Sequence, residues 1–425
     1  MPAAKTSLLS FERQFLWMAL ALSAVAPAVL GSITPFLLLL ISIVYFVLAA
    51  FRARRPVFHA DMISWTFFAV IALQLILAAL SARQIGDVAF GLNLLPLLLY
   101  PFSVPIISRA RIKNPLVLFA FVALLGAAFA FFVAFVAVFL FGFDRGSFAH
   151  VNPNDLSGLA LLFGFLALAG IVGLTSRWRF VFFLGPVFAL LTILLTGSRG
   201  ALLAYLAMAV VATWFMLPAR RRLGVAIATI GVLGVGVFLL ADIFQIERVV
   251  SIFRIASAIA GGQPVLDEAS SQRLIMYAAG WRAFLQSPFY GHGWANIMNA
   301  VSPFIPLDVA NRKDIVGLPQ LHNDVINFAV TGGVLGIASY FALLVAPLAG
   351  VRKLAADRFS KPRNLAVALL ITCYGVRGLS DLMLGFEYGT SFFAMTLALI
   401  IGLLGTGNER GEDESLKPAS GLEAT

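Results

Sequence analysis

Residues 179–217 read RFVFFLGPVFALLTILLTGSRGALLAYLAMAVVATWFML, two apolar runs joined by the short polar turn Thr196-Gly197-Ser198-Arg199-Gly200. About 20 apolar residues carry a helix across the hydrocarbon core of a bilayer. Only helices and closed barrels satisfy their own backbone there. The stretch therefore predicts two transmembrane helices with a tight turn between them. The same pattern recurs along the chain, giving twelve candidate spans that begin near Phe15, Ile33, Met62, Gly86, Pro115, Leu156, Arg179, Gly200, Leu223, Asn323, Leu365 and Thr390. The expected fold is all-α, a polytopic transmembrane helical bundle of about 12 spans.

Composition agrees. Of 425 residues, 61% are hydrophobic and 12% charged, about half the roughly 25% charged share of soluble domains. So little polar surface cannot coat a globule in water, which excludes a soluble enzyme as well as disordered and collagenous chains. The single cysteine, Cys373, excludes a disulfide scaffold and a thiolate metal site. A net charge of +10 raises nucleic acid as a partner. A nucleic-acid surface would gather its basic residues on one face, whereas here they fall in short clusters between apolar runs.

Those clusters set the orientation. With both termini inside, the inner segments hold twenty of the thirty lysines and arginines, from Lys5 and Arg13 through Arg220, Arg221 and Arg222 to Arg410 and Lys417. The short outer loops hold only Arg83, Arg145 and Arg199, the asymmetry that positive-inside topology requires. The first run, Phe15 to Leu30, lacks a cleavage motif and reads as a retained helix.

The organisation is then spans 1–9 over residues 1–241, a long outer loop over 242–321, spans 10–12 over 322–406 and an inner tail over 407–425. Loops of this length usually carry function. Within the loop, Phe244 to Ala260 has the pattern of an interfacial amphipathic helix, and Ser270 to Gln286 reads as a second helix that begins on serine caps and ends before Pro288. Pro96, Pro101 and Pro105 predict a kinked or broken fourth span. Gly332 and Gly336 are spaced for close helix contact.

Outer arginines oppose the orientation signal and so need another reason to exist. Arg199, with Ser198, stands where the first amides of a helix are unpaired and favour an anion, although a side chain there also reaches lipid headgroups. Arg273 lies in the first turn of the second loop helix, where its guanidinium suits a diphosphate or else pairs with Asp267 or Glu268. Arg282 sits beside Trp281 and Phe284, on a part of that helix that reads as packed. His322, in Leu321-His322-Asn323-Asp324, precedes an apolar helix on the outer face and is placed either to take a proton from a hydroxyl or to cap. Asn152-Pro153-Asn154-Asp155 reads as a helix cap. Arg377 and Asp381, four apart, read as a neutralising pair within the membrane and also as candidates for the site, with Asp324 or Asp381 as fallback base. The chain has no outer Asp-x-Asp, CxxC, HExxH or nucleotide-cradling glycine motif, so no metal or cofactor is expected.

Taken in order, Thr196-Gly197-Ser198-Arg199-Gly200, Ser271-Gln272-Arg273, Pro288 with Gly291-His292-Gly293, and His322-Asn323 followed by Gly332-Gly333-Val334-Leu335-Gly336 resemble the O-antigen ligase and polymerase superfamily of polytopic glycosyltransferases. The resemblance runs from about Asn152 to Gly336. It implies a GT-C-like bundle in the bacterial inner membrane whose site and long loop face the periplasm. It also implies metal-independent, inverting transfer of a glycan from undecaprenyl diphosphate to lipid A-core. By position Arg199 and Arg273 would bind the diphosphate and His322 would act as general base, with Asp381 matching an acidic position and Arg377, Asn323, Asp324, Ser198 and Arg282 in support. A repeat-unit polymerase shares this donor chemistry. Its paired Arg-x10-Gly pattern is met once here, by Arg282 and Gly293. A lipid or sugar transporter would also have many spans, but transporters place polar residues at the midplane, which is nearly bare here.

Overall fold

The computed structural model describes residues 2–53, 58–148, 151–243, 257, 261, 268–306 and 320–405. Every regular element among them is helical. The order is α1 (Pro2–Ala24), α2 (Pro27–Leu30), α3 (Ile33–Ala53), α4 (Met62–Ser81), a 3-10 stretch over Ile85–Leu98 leading into α5 (Leu99–Arg109), α6 (Pro115–Phe135), α7 (Pro153–Leu166), α8 (Leu168–Gly173), a 3-10 turn leading into α9 (Leu184–Thr196), α10 (Arg199–Met216) and α11 (Ala219–Ile243). The loop contributes α12 (Glu268–Gln286) and the short α13 (Ile297–Val301), and the chain closes with α14 (Asp324–Arg352), α15 (Ser360–Arg377) and α16 (Glu387–Leu404).

Among the described residues nine helical segments have the length and apolar composition to cross a membrane. Helices also stand where the first, ninth and eleventh spans are expected, as α1, α11 and α15. They differ in charge: α11 opens on Arg220, Arg221 and Arg222, and α15 carries Lys361, Arg363 and Arg377 within 18 residues. The interfacial stretch Phe244–Ala260, residue 257 apart, and the tail after Gly405 lie outside the described residues.

Two segments form the centre. Of the residues in the α7–α8 segment and in α16, 89% are buried, against 33% in α10. α7 lies between α6 and α9, α16 packs on α5, α10 on α15 and α14 on α4. The α7–α9 crossing is close because glycines face each other, so that a Cβ on Gly164 would fall 2.6 Å from the Gly185 carbonyl. Small residues let helix backbones approach in lipid, where no hydrophobic drive separates helix from solvent. The fourth span passes from a 3-10 stretch with Pro96 near its end into α5, which stays helical through Pro101 and Pro105.

α14 is not continuous. Gly333 takes φ 60 and ψ −146, a conformation open to glycine alone, and splits the helix. A break at this depth survives only if its freed backbone groups find partners. Residues 288–293 supply them: the His292 and Gly293 amides donate to the Val330 and Thr331 carbonyls at 2.8 and 2.9 Å, and the Val334 amide donates to the Pro288 carbonyl at 2.7 Å. Gly291 and Gly293, both at positive φ, let this turn press against α14. Of the two glycines expected to serve helix contact, Gly332 meets α4 through Leu77 and the 288–293 turn through Gly291, while Gly336 lies against the Phe328 carbonyl of its own helix.

Replacing Gly164 with Leu is expected to destabilise the bundle by about 2 kcal/mol through overpacking. Thermal unfolding in detergent reads this, with Gly224→Leu as control, because nothing lies within 4 Å of a Cβ at Gly224.

Candidate active site

The site is assembled where α14 begins. Asn323 caps that helix by accepting from the Ile326 amide at 3.0 Å and donates its own amide to the Leu379 carbonyl at 2.9 Å. Asp324 is fully buried and accepts from the Met383 and Leu384 amides at 2.8 and 3.3 Å. Two consecutive residues therefore pin the 378–386 loop against the α14 N-terminus. Asp324, named from sequence as a possible base, instead holds the loop that carries Asp381. His322 lies one residue upstream with φ 50, in the left-handed region that non-glycine residues avoid. Strain of that kind costs of order 1 kcal/mol and persists where surroundings hold it, typically at functional sites. Here the Tyr277 hydroxyl donates to the His322 carbonyl at 2.9 Å, and the ring Nδ1 meets Asp381 Oδ1 at 3.3 Å. Asp381 thereby fixes the ring and leaves Nε2 to exchange a proton.

Asp381 is bracketed on its other side by Arg377, 3.8 Å away. Arg377 is 4% exposed and donates to the Asn154 carbonyl at 2.9 Å. It fits there because Gly158 has no side chain: a Cβ would overlap the guanidinium. The pair expected from sequence is therefore present and is coupled to the histidine. Burial pushes the Asp381 carboxyl up, but the His322 hydrogen bond, the Arg377 and His322 charges and the Leu382 amide outweigh it and hold the group below its ordinary range. Burial raises the Tyr277 hydroxyl, with Arg273 opposing and Asp381 adding, so Tyr277 stays a donor.

The two outer arginines meet on α12. Gly197, in the left-handed conformation at φ 64, ends α9, and buried Ser198 leads into Arg199 at the first position of α10. Arg199 donates to the Ser270 hydroxyl at 3.0 Å. Ser270, Arg273 and Tyr277 recur at helical spacing on one face of α12, the face whose Gly280 abuts Ile326 and Leu321 at the start of α14. Arg199, Arg273 and His322 are thus joined through two turns of one helix. The turn before α10 also touches the loop carrying Asp381, since Gly200 packs against Ser380. Arg282 is not part of this group. It is exposed and lies nine residues beyond Arg273, about two and a half turns on and so on the opposite face.

Beside His322 lies a cavity of about 120 Å³ lined by Asn152, Asn154, Asp155, Gln320, Asp381, Tyr374, Tyr388 and Phe392 among others. Neither Arg199 nor Arg273 lines it. Asn152 does cap α7, accepting from the Asn154 amide at 2.9 Å, as expected. The reading as a cap misses that the same motif reaches Arg377 through the Asn154 carbonyl and Arg145 through its side chain at 3.2 Å, and that Asp155 feels the charges of both Arg377 and Asp381. Tyr277 carries no signal in the sequence beyond its helical spacing from Arg273. His292 binds the Ala283 carbonyl through Nε2 at 2.8 Å, within the α12 end of the loop. His150 lies outside the described residues. Among the described residues no three His, Cys, Asp or Glu side chains gather in a way that could hold a metal ion.

Residues 184–341 match the family model described as O-antigen ligase. This stretch of the chain is therefore similar to the O-antigen ligase family. It runs from α9 into α14 and so takes in Arg199, Arg273 and His322, while Asp155, Arg377 and Asp381 lie beyond it. A comparison with curated proteins returns no match.

A group whose folded value is depressed contributes stability that is present above its unfolded value, about 4 for aspartate, and lost as pH falls through the lower folded value. Asp381→Asn is therefore expected to lower stability in detergent by about 1–2 kcal/mol at neutral pH, the range for a hydrogen bond to a charged group. The gap to the unmodified protein should narrow only at strongly acid pH, as denaturation followed across that range will show.

Proposed function

Starting from the O-antigen ligase family, we propose that this protein is a ligase that transfers a glycan from undecaprenyl diphosphate to lipid A-core. We place it in the bacterial inner membrane as a bundle of about 12 spans, with both termini cytoplasmic and the site facing the periplasm. The observation that carries the reading is the convergence of Arg199 and His322 on the arginine-bearing face of α12. Lysine and arginine counts support the orientation.

In the proposed step the acceptor oxygen attacks the anomeric carbon of the donor glycan. The bond from that carbon to the phosphate oxygen breaks, and its electron pair leaves with the diphosphate. The proton of the attacking hydroxyl passes to Nε2 of His322. Asp381 on Nδ1 holds the ring in the tautomer that can accept it and stabilises the imidazolium that forms. Arg199 and Arg273 stabilise the charge that grows on the leaving diphosphate, and guanidiniums suit this because they stay charged and bind two oxygens at once. With charge stabilised by guanidiniums, the transfer is read as metal-independent, and a single displacement inverts the anomeric centre.

His322→Ala is expected to reduce transfer about 100- to 10,000-fold, and Arg199→Ala or Arg273→Ala about 100- to 1,000-fold each, with the protein still inserted in the membrane. Purified protein given lipid-diphosphate glycan and lipid A-core reads this directly. Full transfer by all three variants would overturn the assignment. Growth of the glycan on a second donor, with lipid A-core ignored, would make the protein a repeat-unit polymerase.

A further inference from the structure

Neither of the arginines that suit a diphosphate lines the cavity beside His322. The cavity is lined by two carboxylates, Asp155 and Asp381, and by no lysine or arginine. Like charge disfavours an anion there, so a diphosphate or a phosphorylated ligand is a poor occupant. Its polar lining includes amides and carboxylates, Asn152, Asn154, Gln320, Asp155 and Asp381, beside the His322 ring. Asp155, half-buried, makes no hydrogen bond among the described residues, and Asn152 uses its oxygen for the cap and keeps its NH2 group to donate. One wall is aromatic, with the Tyr388 and Phe392 rings 4.7 Å apart on one face of α16. At about 120 Å³ the cavity has room for about four waters at roughly 30 Å³ each, enough for part of a sugar ring.

We infer that this cavity is a subsite for an uncharged sugar, the acceptor ring whose hydroxyl is attacked through His322, with Asp155 and Gln320 bonding its other hydroxyls and Tyr388 and Phe392 covering its apolar face. The inference rests on the transfer reading above and divides the site in two. The donor diphosphate lies on the α12 side with Arg199 and Arg273, the acceptor sugar lies against α7 and α16, and His322 stands at the boundary. Hydroxyl-rich rings suit this lining because a carboxylate accepts from two hydroxyls at once and an aromatic ring packs against a face of C–H bonds.

Two measurements on the full-length protein in detergent test it separately from the activity. In the transfer assay, Asp155→Asn and Gln320→Ala are expected to raise the KM for lipid A-core about tenfold or more, the loss that follows when a hydrogen bond to a charged or buried group is removed. The KM for the donor should stay within about twofold, since the arginines on α12 are untouched. A shift shared equally by both substrates, or no shift in either, overturns the subsite. In saturation-transfer NMR with methyl glucoside, methyl galactoside and methyl N-acetylglucosaminide, at least one is expected to bind the unmodified protein and to lose its signal in Asp155→Asn. Sugar binding without transfer to any glycan acceptor would keep the subsite and sink the ligase reading. Transfer with no sugar bound would sink the subsite.

Discussion

The hydrogen bond between His322 and Asp381 joins chain segments 59 residues apart and closes the outer end of the bundle. It cannot form unless the 378–386 loop is fixed, and the loop is fixed by two side chains of the same α14 N-terminus, Asn323 on the Leu379 carbonyl and Asp324 under the Met383 and Leu384 amides. Helix ends leave donors and acceptors unpaired. Here those orphan groups and the capping side chains are used to build a loop rather than being left to water. The histidine's unfavourable backbone angle is held within this frame, its carbonyl accepting from Tyr277.

Depth in the membrane raises the stakes of this design. Arg377 is nearly sealed from solvent, and a buried charge without partners is costly. Its partners come from another helix and from the loop that follows its own: the Asn154 carbonyl at the start of α7 and the Asp381 carboxylate after α15, with the space opened by Gly158. The same economy appears at the break in α14. There the Pro288–Gly293 turn returns hydrogen bonds to the carbonyls and amide that Gly333 frees, and it anchors α12 to the membrane domain. The helix that gathers the outer arginines is thus held at its far end by one broken membrane helix and along its length by the start of that same helix.

Much of this was legible in the residues. The spans show as long apolar runs, the change of helix type in the fourth span as Pro96 near the join, and His322 and Arg199 as polar residues at the outer starts of apolar helices. What stayed hidden depends on partners distant in sequence. Asn152-Pro153-Asn154-Asp155 is locally complete as a cap, and nothing near it announces Arg377, 223 residues on from Asn154. Gly332-Gly333 looks like a packing motif because the turn that satisfies the break lies more than a helix away. Arg273 and Arg282 share one helix and one residue type, and only the phase of a 3.6-residue turn separates the inward arginine from the outward one.

Electrostatics gives the arrangement a direction. Arg199 and Arg273 stand at α12, Asp155 and Asp381 line the cavity with Arg377 behind Asp381, and His322 lines the cavity while bonding Tyr277 of α12 through its carbonyl. A histidine flanked only by arginines would resist protonation, and one flanked only by carboxylates would lack a counter-charge for a departing anion. In the proposed step, Asp381 on Nδ1, with Arg377 behind the carboxylate, lets the imidazole become positive while Arg199 and Arg273 face the negative charge that leaves. The separation keeps the two carboxylates from competing with a diphosphate for the same guanidiniums. In a water-poor setting that competition would be strong, because opposite charges at short range attract far more than in bulk water.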